Sequence, residues 1–109
     1  MRRRPMSPVM LESVAARFKV LAEPARLQVL QALQRGPQHV SALMTLTGLN
    51  QANLSRHLQL LHAQGFVSRR RQGTFIHYAI ADARVFALCD LMCEAVRRPV
   101  APPERRTTA

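Results

Sequence analysis

The chain has 109 residues, of which 48% are hydrophobic, and this length and composition suit one small domain. Sixteen lysine and arginine residues against six acidic residues give a net charge of +10, which predicts a polyanionic partner, either nucleic acid or a membrane surface. No apolar run reaches the ~18–20 residues that cross a bilayer, and the basic start lacks a signal peptide's apolar segment, so we expect a cytoplasmic protein without membrane spans.

The two ends of the chain differ in composition from its middle. Residues 1–8 are basic and predict a flexible arm, whereas residues 99–109 contain three prolines and predict a disordered tail. Between them, residues 9–98 carry the patterns of one folded domain.

Helical spacing of apolar residues predicts five helices, over Val9–Leu21, Pro24–Leu33, Val40–Leu46, Asn50–Gln64 and about Ala83–Arg98. Leu27 and Leu46 are among the residues that this spacing turns inward. Gly48 supplies the positive φ of a turn between the third and fourth helices, and Asn50 and Asp82 cap the helices that follow them. The chain therefore contains a predicted helix-turn-helix.

The fourth helix has one apolar face and one face of hydrogen-bonding side chains. Leu54, Leu58 and Leu61 recur at helical spacing and form the apolar stripe. The other face carries residue types that contact base edges and phosphates in a major groove. The predicted DNA contacts are Gln51, Ala52, Asn53, Ser55, Arg56 and His57. Taken alone, the pattern also fits an ordinary amphipathic surface helix.

A basic β-hairpin is predicted directly after this helix. Its strands, Phe66–Arg71 and Thr74–Ile80, are separated by a turn at Gln72-Gly73. The predicted backbone contacts are Arg69, Arg70, Arg71 and Thr74, although charges on an edge strand also prevent aggregation. A helix-turn-helix followed by a basic hairpin predicts a mainly α winged helix-turn-helix, with the fourth helix in the major groove and the hairpin tip on the neighbouring backbone or minor groove.

Three motifs occur together within residues 18–80. They are Leu21-Ala22-Glu23-Pro24-Ala25-Arg26-Leu27-Gln28-Val29-Leu30, then Gly48-Leu49-Asn50-Gln51 with Leu54-Ser55-Arg56-His57-Leu58, then Leu61-x-x-x-Gly65-Phe66-Val67 leading into Arg71-x-Gly73-x-x-x-His77-Tyr78. In combination they resemble the ArsR/SmtB family of small bacterial repressors. The resemblance implies a homodimer joined by its first and fifth helices, which binds a palindromic double-stranded DNA operator and is released by a small inducer. It implies a DNA-binding protein and not an enzyme.

The common metal sites of that family do not transfer to this sequence. The usual Cys-x-Cys thiolate site would fall at His39 and Ser41, and neither residue is a cysteine. The interfacial zinc site would place Arg84 and Arg98 at ligand positions, where a cation disfavours a divalent metal. We therefore expect neither site in this chain.

Cys89 and Cys93 are the only thiols and lie one turn apart on the predicted fifth helix. Three interpretations are open: a site for a soft metal or metalloid ion such as arsenite, a redox or persulfide-type sulfur sensor, and two buried core residues in a regulator without an inducer. Asp90 and Glu94 would raise the thiol pKa, which disfavours reactive thiolates. A thiol enzyme fits least, because the cysteines form no Cys-x-x-Cys. No other cofactor is implied.

Overall fold

The computed structural model describes residues 3–101, which form five helices and a three-stranded antiparallel sheet. The elements in chain order are α1 (Pro8–Leu21), α2 (Pro24–Leu33), β1 (Gln38–His39), α3 (Val40–Thr47), α4 (Gln51–Ala63), β2 (Val67–Gln72), β3 (Phe75–Ile80) and α5 (Arg84–Arg97). Residues 1–2 of the predicted arm and residues 102–109 of the predicted tail lie outside the described residues.

Helix α1 begins one residue earlier than the apolar pattern predicts. The Ser7 side chain accepts a hydrogen bond of 3.1 Å from the Met10 backbone N–H, and Pro8 occupies the first turn, where its missing N–H costs nothing. The segment 1–8 is therefore not an arm throughout, because its last two residues start the helix.

The core lies where α2, α3 and α4 meet the base of the sheet. Its buried apolar residues are Val20, Leu21, Val29, Leu30, Leu33, Leu43, Leu54, Leu58, Leu61, Phe66, Val67, Tyr78 and Val85. The inward orientation predicted for Leu27 and Leu46 is wrong, since these side chains are 41% and 44% exposed. Their helices are short, and the core of one small domain covers only part of each apolar face.

The hairpin turn lies one residue further along the chain than the sequence predicts. Gln72 pairs with Phe75, so Gly73 and Thr74 are the two turn residues. Gly73 has φ 61° and Thr74 does not have a positive φ, the sign pattern of a type II′ turn with glycine first. The two-residue strand β1, which was not predicted, adds to the edge of β3 through the pair His39 and His77.

Arg17 on α1 contacts both the residue before β2 and the segment before α5. The Arg17 guanidinium lies 3.9 Å from the Asp82 carboxylate and 4.5 Å above the Phe66 ring. The Asp82 carboxylate accepts a hydrogen bond of 3.1 Å from the Arg84 backbone N–H, although Ala83, and not the predicted Asp82, is the residue directly before α5. None of the helices within residues 3–101 is both long and apolar enough to cross a membrane.

Candidate DNA interface and cysteine-lined cavity

The turn between α3 and α4 has the geometry of a helix-turn-helix. Gly48 adopts φ 73° and donates its backbone N–H to Met44 at 2.8 Å, which ends α3 with a left-handed residue. Two residues later, the Asn50 side chain accepts a 2.8 Å hydrogen bond from the backbone N–H of Asn53 and starts α4. Both predicted local signals are confirmed, and together they fix the direction in which α4 leaves the turn.

Helix α4 buries its leucine stripe and leaves its polar face open to solvent. Of the predicted DNA contacts on this helix, Gln51, Ala52, Asn53 and Arg56 are exposed and Ser55 is half-buried. This exposed face is continuous over the first two turns. It is therefore free to enter a groove.

His57 is a correction to the predicted set of DNA contacts. Its side chain is buried, with 4% of its surface exposed, and its Nδ1 accepts a 3.2 Å hydrogen bond from Nε of Arg26. Burial and the neighbouring Arg56 lower the pKa of His57, so the ring is neutral at pH 7. Because His57 is three residues after Leu54 and four before Leu61, the helical spacing already contained the signal that it faces inward.

The wing formed by β2 and β3 carries its cations on both faces. Residues that pair directly across an antiparallel ladder share a face, so Arg70 lies on the side of His77, while Arg69 and Arg71 lie on the opposite side. All three arginines are exposed. Among residues 3–101, neither they nor the α4 arginine form an ion pair with a carboxylate. These charges are available to a polyanion.

An exposed aromatic side chain stands at the tip of the wing and was missed at the sequence level. Phe75 directly follows the turn residue Thr74, which is also exposed, and is itself 58% exposed. Its ring centroid lies 5.8 Å from that of His39 on the neighbouring strand β1. The sequence alone gives no neighbour for Phe75, because strand β1 cannot be recognised from its two residues.

An apolar cavity of about 600 Å³ opens between α1, α2 and α5. Both cysteines line it, together with apolar side chains that include Phe18, Leu27 and Met92, and Arg97 is the one charged residue in its wall. In the single chain, Cys89 is half-buried and Cys93 is exposed. The structure thus brings the two thiols to the wall of a shared cavity, and the half-buried Cys89 also packs against the edge of the core.

The Cys89 thiol is a poor source of thiolate. Burial raises its pKa, and the nearby Cys93 and Asp90 raise it further, as the sequence predicted for an acidic neighbour. Within residues 3–101, no group of three or more His, Cys, Asp or Glu side chains is placed to hold a metal ion. A ligand at this cavity would therefore have two thiols as its protein donors.

The positions of the family's common metal ligands are engaged in other interactions. His39 caps α3, because its Nδ1 accepts a 3.1 Å hydrogen bond from the backbone N–H of Ala42. The Arg84 guanidinium forks onto Asp82, with contacts of 2.9 and 2.8 Å. His39 therefore stabilises the start of α3, and Arg84 stabilises the segment before α5.

Comparison with known proteins assigns the fold and the family. Residues 23–69 match the family model described as "bacterial regulatory protein, arsR family". The solved homodimeric winged helix-turn-helix DNA-binding domain of Mb0332 from Mycobacterium bovis is 35% identical, with a TM-score of 0.75, and the match covers 92% of this chain and 98% of that domain. The HTH-type transcriptional regulator Rv0324 of Mycobacterium tuberculosis is 41% identical over 88 residues, which are 78% of this chain.

A probable mercury resistance operon repressor of Streptomyces lividans is 36% identical over 74 residues, or 68% of this chain. The chain spans only 39% of the length of Rv0324 and 59% of the length of this repressor.

The chain belongs to the arsR family of bacterial regulatory proteins. The predicted winged helix-turn-helix fold is confirmed, and the family consists of DNA-binding transcriptional regulators and not of enzymes.

Proposed function

We propose that this chain is a homodimeric repressor that binds a palindromic operator and is released when a ligand occupies Cys89 and Cys93. The observation that carries the DNA-binding part is the exposed polar face of α4, which follows a helix-turn-helix geometry. The wing beside it carries exposed arginines that form no ion pair within residues 3–101. Binding to a bacterial DNA operator would take place in the cytoplasm.

The contact residues divide into base-reading and backbone-binding groups. Gln51 and Arg56 have the hydrogen-bonding groups for base edges, and Ala52 is small enough to meet a thymine methyl group. Asn53 and Ser55 suit phosphate oxygens near the start of α4. On the wing, Arg69, Arg70, Arg71 and Thr74 supply cationic and hydroxyl contacts to the neighbouring backbone.

Dimerisation through α1 and α5 explains why both helices expose so much apolar surface. On α1, Val9 is 73% exposed, and on α5 Leu91 is 71% exposed. Phe18 and Val96, at 50% and 74%, also line the cavity, which therefore lies beside the proposed interface. A soluble monomer rarely leaves such a continuous patch open to water. The homodimeric state of the related Mb0332 domain supports the same arrangement here.

Arsenite fits the cysteine-lined cavity better than a divalent cation does. At neutral pH it is uncharged As(OH)₃, and an apolar wall does not oppose its entry as it would oppose an unpaired ion. Each of two thiols would form one As–S bond while one As–O bond breaks. Two water molecules leave with the thiol protons, so no electrons are transferred and no free thiolate accumulates. The mercury-linked relative supports a thiophilic ligand in general.

Two other functions remain as alternatives. A sulfur-species sensor needs a thiolate nucleophile, and the raised pKa of Cys89 weighs against it. A regulator without an inducer needs cysteines that only pack, which for Cys93, exposed in the single chain, requires burial against the partner subunit.

The test uses a DNA fragment selected from a random double-stranded library by the purified protein. Operator affinity is measured by fluorescence anisotropy with and without arsenite, for the parent and for the double variant Cys89→Ser/Cys93→Ser. We expect arsenite to release the parent and to leave the double variant bound. Equal release of both proteins would remove the thiols from the mechanism. Release of the parent by polysulfide, but not by arsenite, would select the sulfur-sensing alternative.

The dimer is tested separately by sedimentation of the parent and of Leu91→Glu/Val96→Glu. We expect a parent dimer and a monomeric variant that binds half of the operator weakly. A variant that remains dimeric would place the interface elsewhere.

A further inference from the structure

We propose that Arg26 is a positioning residue that couples the cysteine-lined cavity to helix α4. The inference rests on the proposed function, because it assumes that α4 contacts DNA. It adds a pathway by which the contents of a cavity between α1, α2 and α5 change the placement of the base-reading side chains.

Arg26 joins three separate segments of the chain through one buried guanidinium. Its Nε donates to Nδ1 of His57 on α4 at 3.2 Å, and its Nη1 donates to the backbone oxygen of Val20 on α1 at 3.3 Å. Its Nη2 lies 2.8 Å from Oε2 of Glu23, the residue that precedes α2. The arginine is 9% exposed and is the only buried cation among residues 3–101.

The partners on the α1 side lead directly to the cavity. Val20 is followed by Leu21 and Ala22, and both of these residues line the cavity. Leu27, the neighbour of Arg26 on α2, also lines it. A ligand that displaces this corner between α1 and α2 therefore moves the carbonyl group and the helix to which Arg26 is bound.

The partner on the α4 side leads directly to the DNA-contacting face. His57 is buried, and the next residue toward the start of the helix is the exposed Arg56. Because α4 is a continuous helix, a shift of His57 moves Arg56 with it. Breaking one hydrogen bond of a buried network leaves a polar group without a partner, which costs free energy. We therefore expect Arg26 and its partners to move together and keep their hydrogen bonds.

The experiment is a double-mutant cycle that needs no ligand. Ala22→Leu adds apolar volume at the cavity wall from an exposed position at the end of α1. Arg26→Lys keeps the charge and loses the three-way contact. Operator affinity is measured for the parent, for each single variant and for the double variant, with Gln31→Leu on the exposed side of α2 as the control substitution. A coupling between distant sites is established by such a cycle and not by their proximity.

We expect Ala22→Leu to change the operator Kd of the parent by about fivefold or more and by less than about twofold in the Arg26→Lys background. A change of equal size in both backgrounds, or none in the parent, would overturn the coupling. If Arg26→Lys does not fold, His57→Leu replaces it, because it removes only the acceptor. His57→Asn then serves as the rescue variant, since its Oδ1 restores an acceptor where Nδ1 was and should restore the coupling.

Failure of the proposed DNA-binding function is recognised separately, because the parent then binds no DNA fragment. In that case the effect of Ala22→Leu on the backbone amide chemical shifts of α4 is measured twice. The first comparison is with the parent, and the second compares Ala22→Leu/Arg26→Lys with Arg26→Lys. Shifts along residues 51–57 that depend on Arg26 support the coupling. Shifts that are the same in both backgrounds refute it.

Discussion

Arg84 folds back onto Asp82 so that Nε lies 2.9 Å from one carboxylate oxygen and Nη2 lies 2.8 Å from the other. Together with the hydrogen bond from its own backbone N–H, this contact holds the pKa of Asp82 at about 2, below the ordinary 3.8. The pair occupies the position at which the resemblance to the ArsR/SmtB family would place the start of an interfacial zinc site. The two hydrogen bonds between Arg84 and the Asp82 carboxylate stabilise the start of α5. They make the free energy of unfolding depend on pH in the acid range.

The pKa of Asp82 predicts the pH range of this sensitivity. Because the folded pKa is depressed, the contribution of Asp82 is complete above pH 3.8 and declines as the pH falls toward 2. We expect Asp82→Asn to be less stable than the parent at pH 6, with the difference shrinking between pH 4 and 2. Urea denaturation across this range measures it. Glu12→Gln removes an exposed carboxylate from α1 and should show no such convergence, and parallel pH profiles for the parent and Asp82→Asn would contradict the assignment.

Arg56 is expected to carry sequence-specific binding. A bidentate contact to a base edge is worth about 1–3 kcal/mol of discrimination, so Arg56→Ala should lower the ratio of specific to non-specific affinity about 5- to 150-fold. His62→Ala, an exposed substitution near the end of the same helix, is the control and should change the ratio little. Competition binding against a scrambled fragment measures the ratio. Unchanged discrimination by Arg56→Ala would mean that another face of the protein reads the sequence.

Arg70 is expected to act through charge rather than base recognition. Removing one arginine that contacts a phosphate reduces the magnitude of the slope of log affinity against log salt concentration by about one. It also weakens binding to all sequences similarly. We therefore expect Arg70→Ala to flatten the salt dependence while leaving the preference for the operator in place. Arg35→Ala removes an exposed arginine from the loop after α2 and should leave the slope unchanged. A loss of preference without a change in slope would make Arg70 a base-reading residue.

The helix-turn-helix and the wing could be predicted because their signals are local. Gly48 at a turn, Asn50 at a cap and the alternation of Ile76 with Tyr78 each depend on a few neighbouring residues. The strand β1 could not be predicted, because two residues have no measurable periodicity and pair only with a strand some 40 positions later. The same holds for the turn at Gly73, where a shift of one residue leaves the composition of both strands almost unchanged.

The cavity and the buried arginine could not be found in the sequence for a different reason. Arg26 resembles any exposed arginine of an amphipathic helix until His57 and Val20 are placed around it. Cys89 and Val85 fit an apolar stripe, but the sequence cannot say which part of the stripe the core covers. In the structure Val85 is buried, whereas Cys89 is only partly buried, at the edge of the core and in the wall of the cavity.

Substitutions of Gly48 test how strongly the turn between α3 and α4 depends on a left-handed backbone at this residue. At φ 73° an L-residue is strained by about 1–2 kcal/mol, yet beyond the two adjacent residues no heavy atom of the described chain lies within 4 Å of the position that a Cβ would occupy. The cost of Gly48→Ala is therefore conformational and not steric, and we expect it to lower the unfolding free energy by about that amount, measured by urea denaturation. Gly48→Asn should cost less, because asparagine tolerates this region. If both variants match the parent, the turn has relaxed to another backbone geometry. In that case α4 no longer leaves at the same angle, and the operator affinity of Gly48→Ala should fall even though its stability does not.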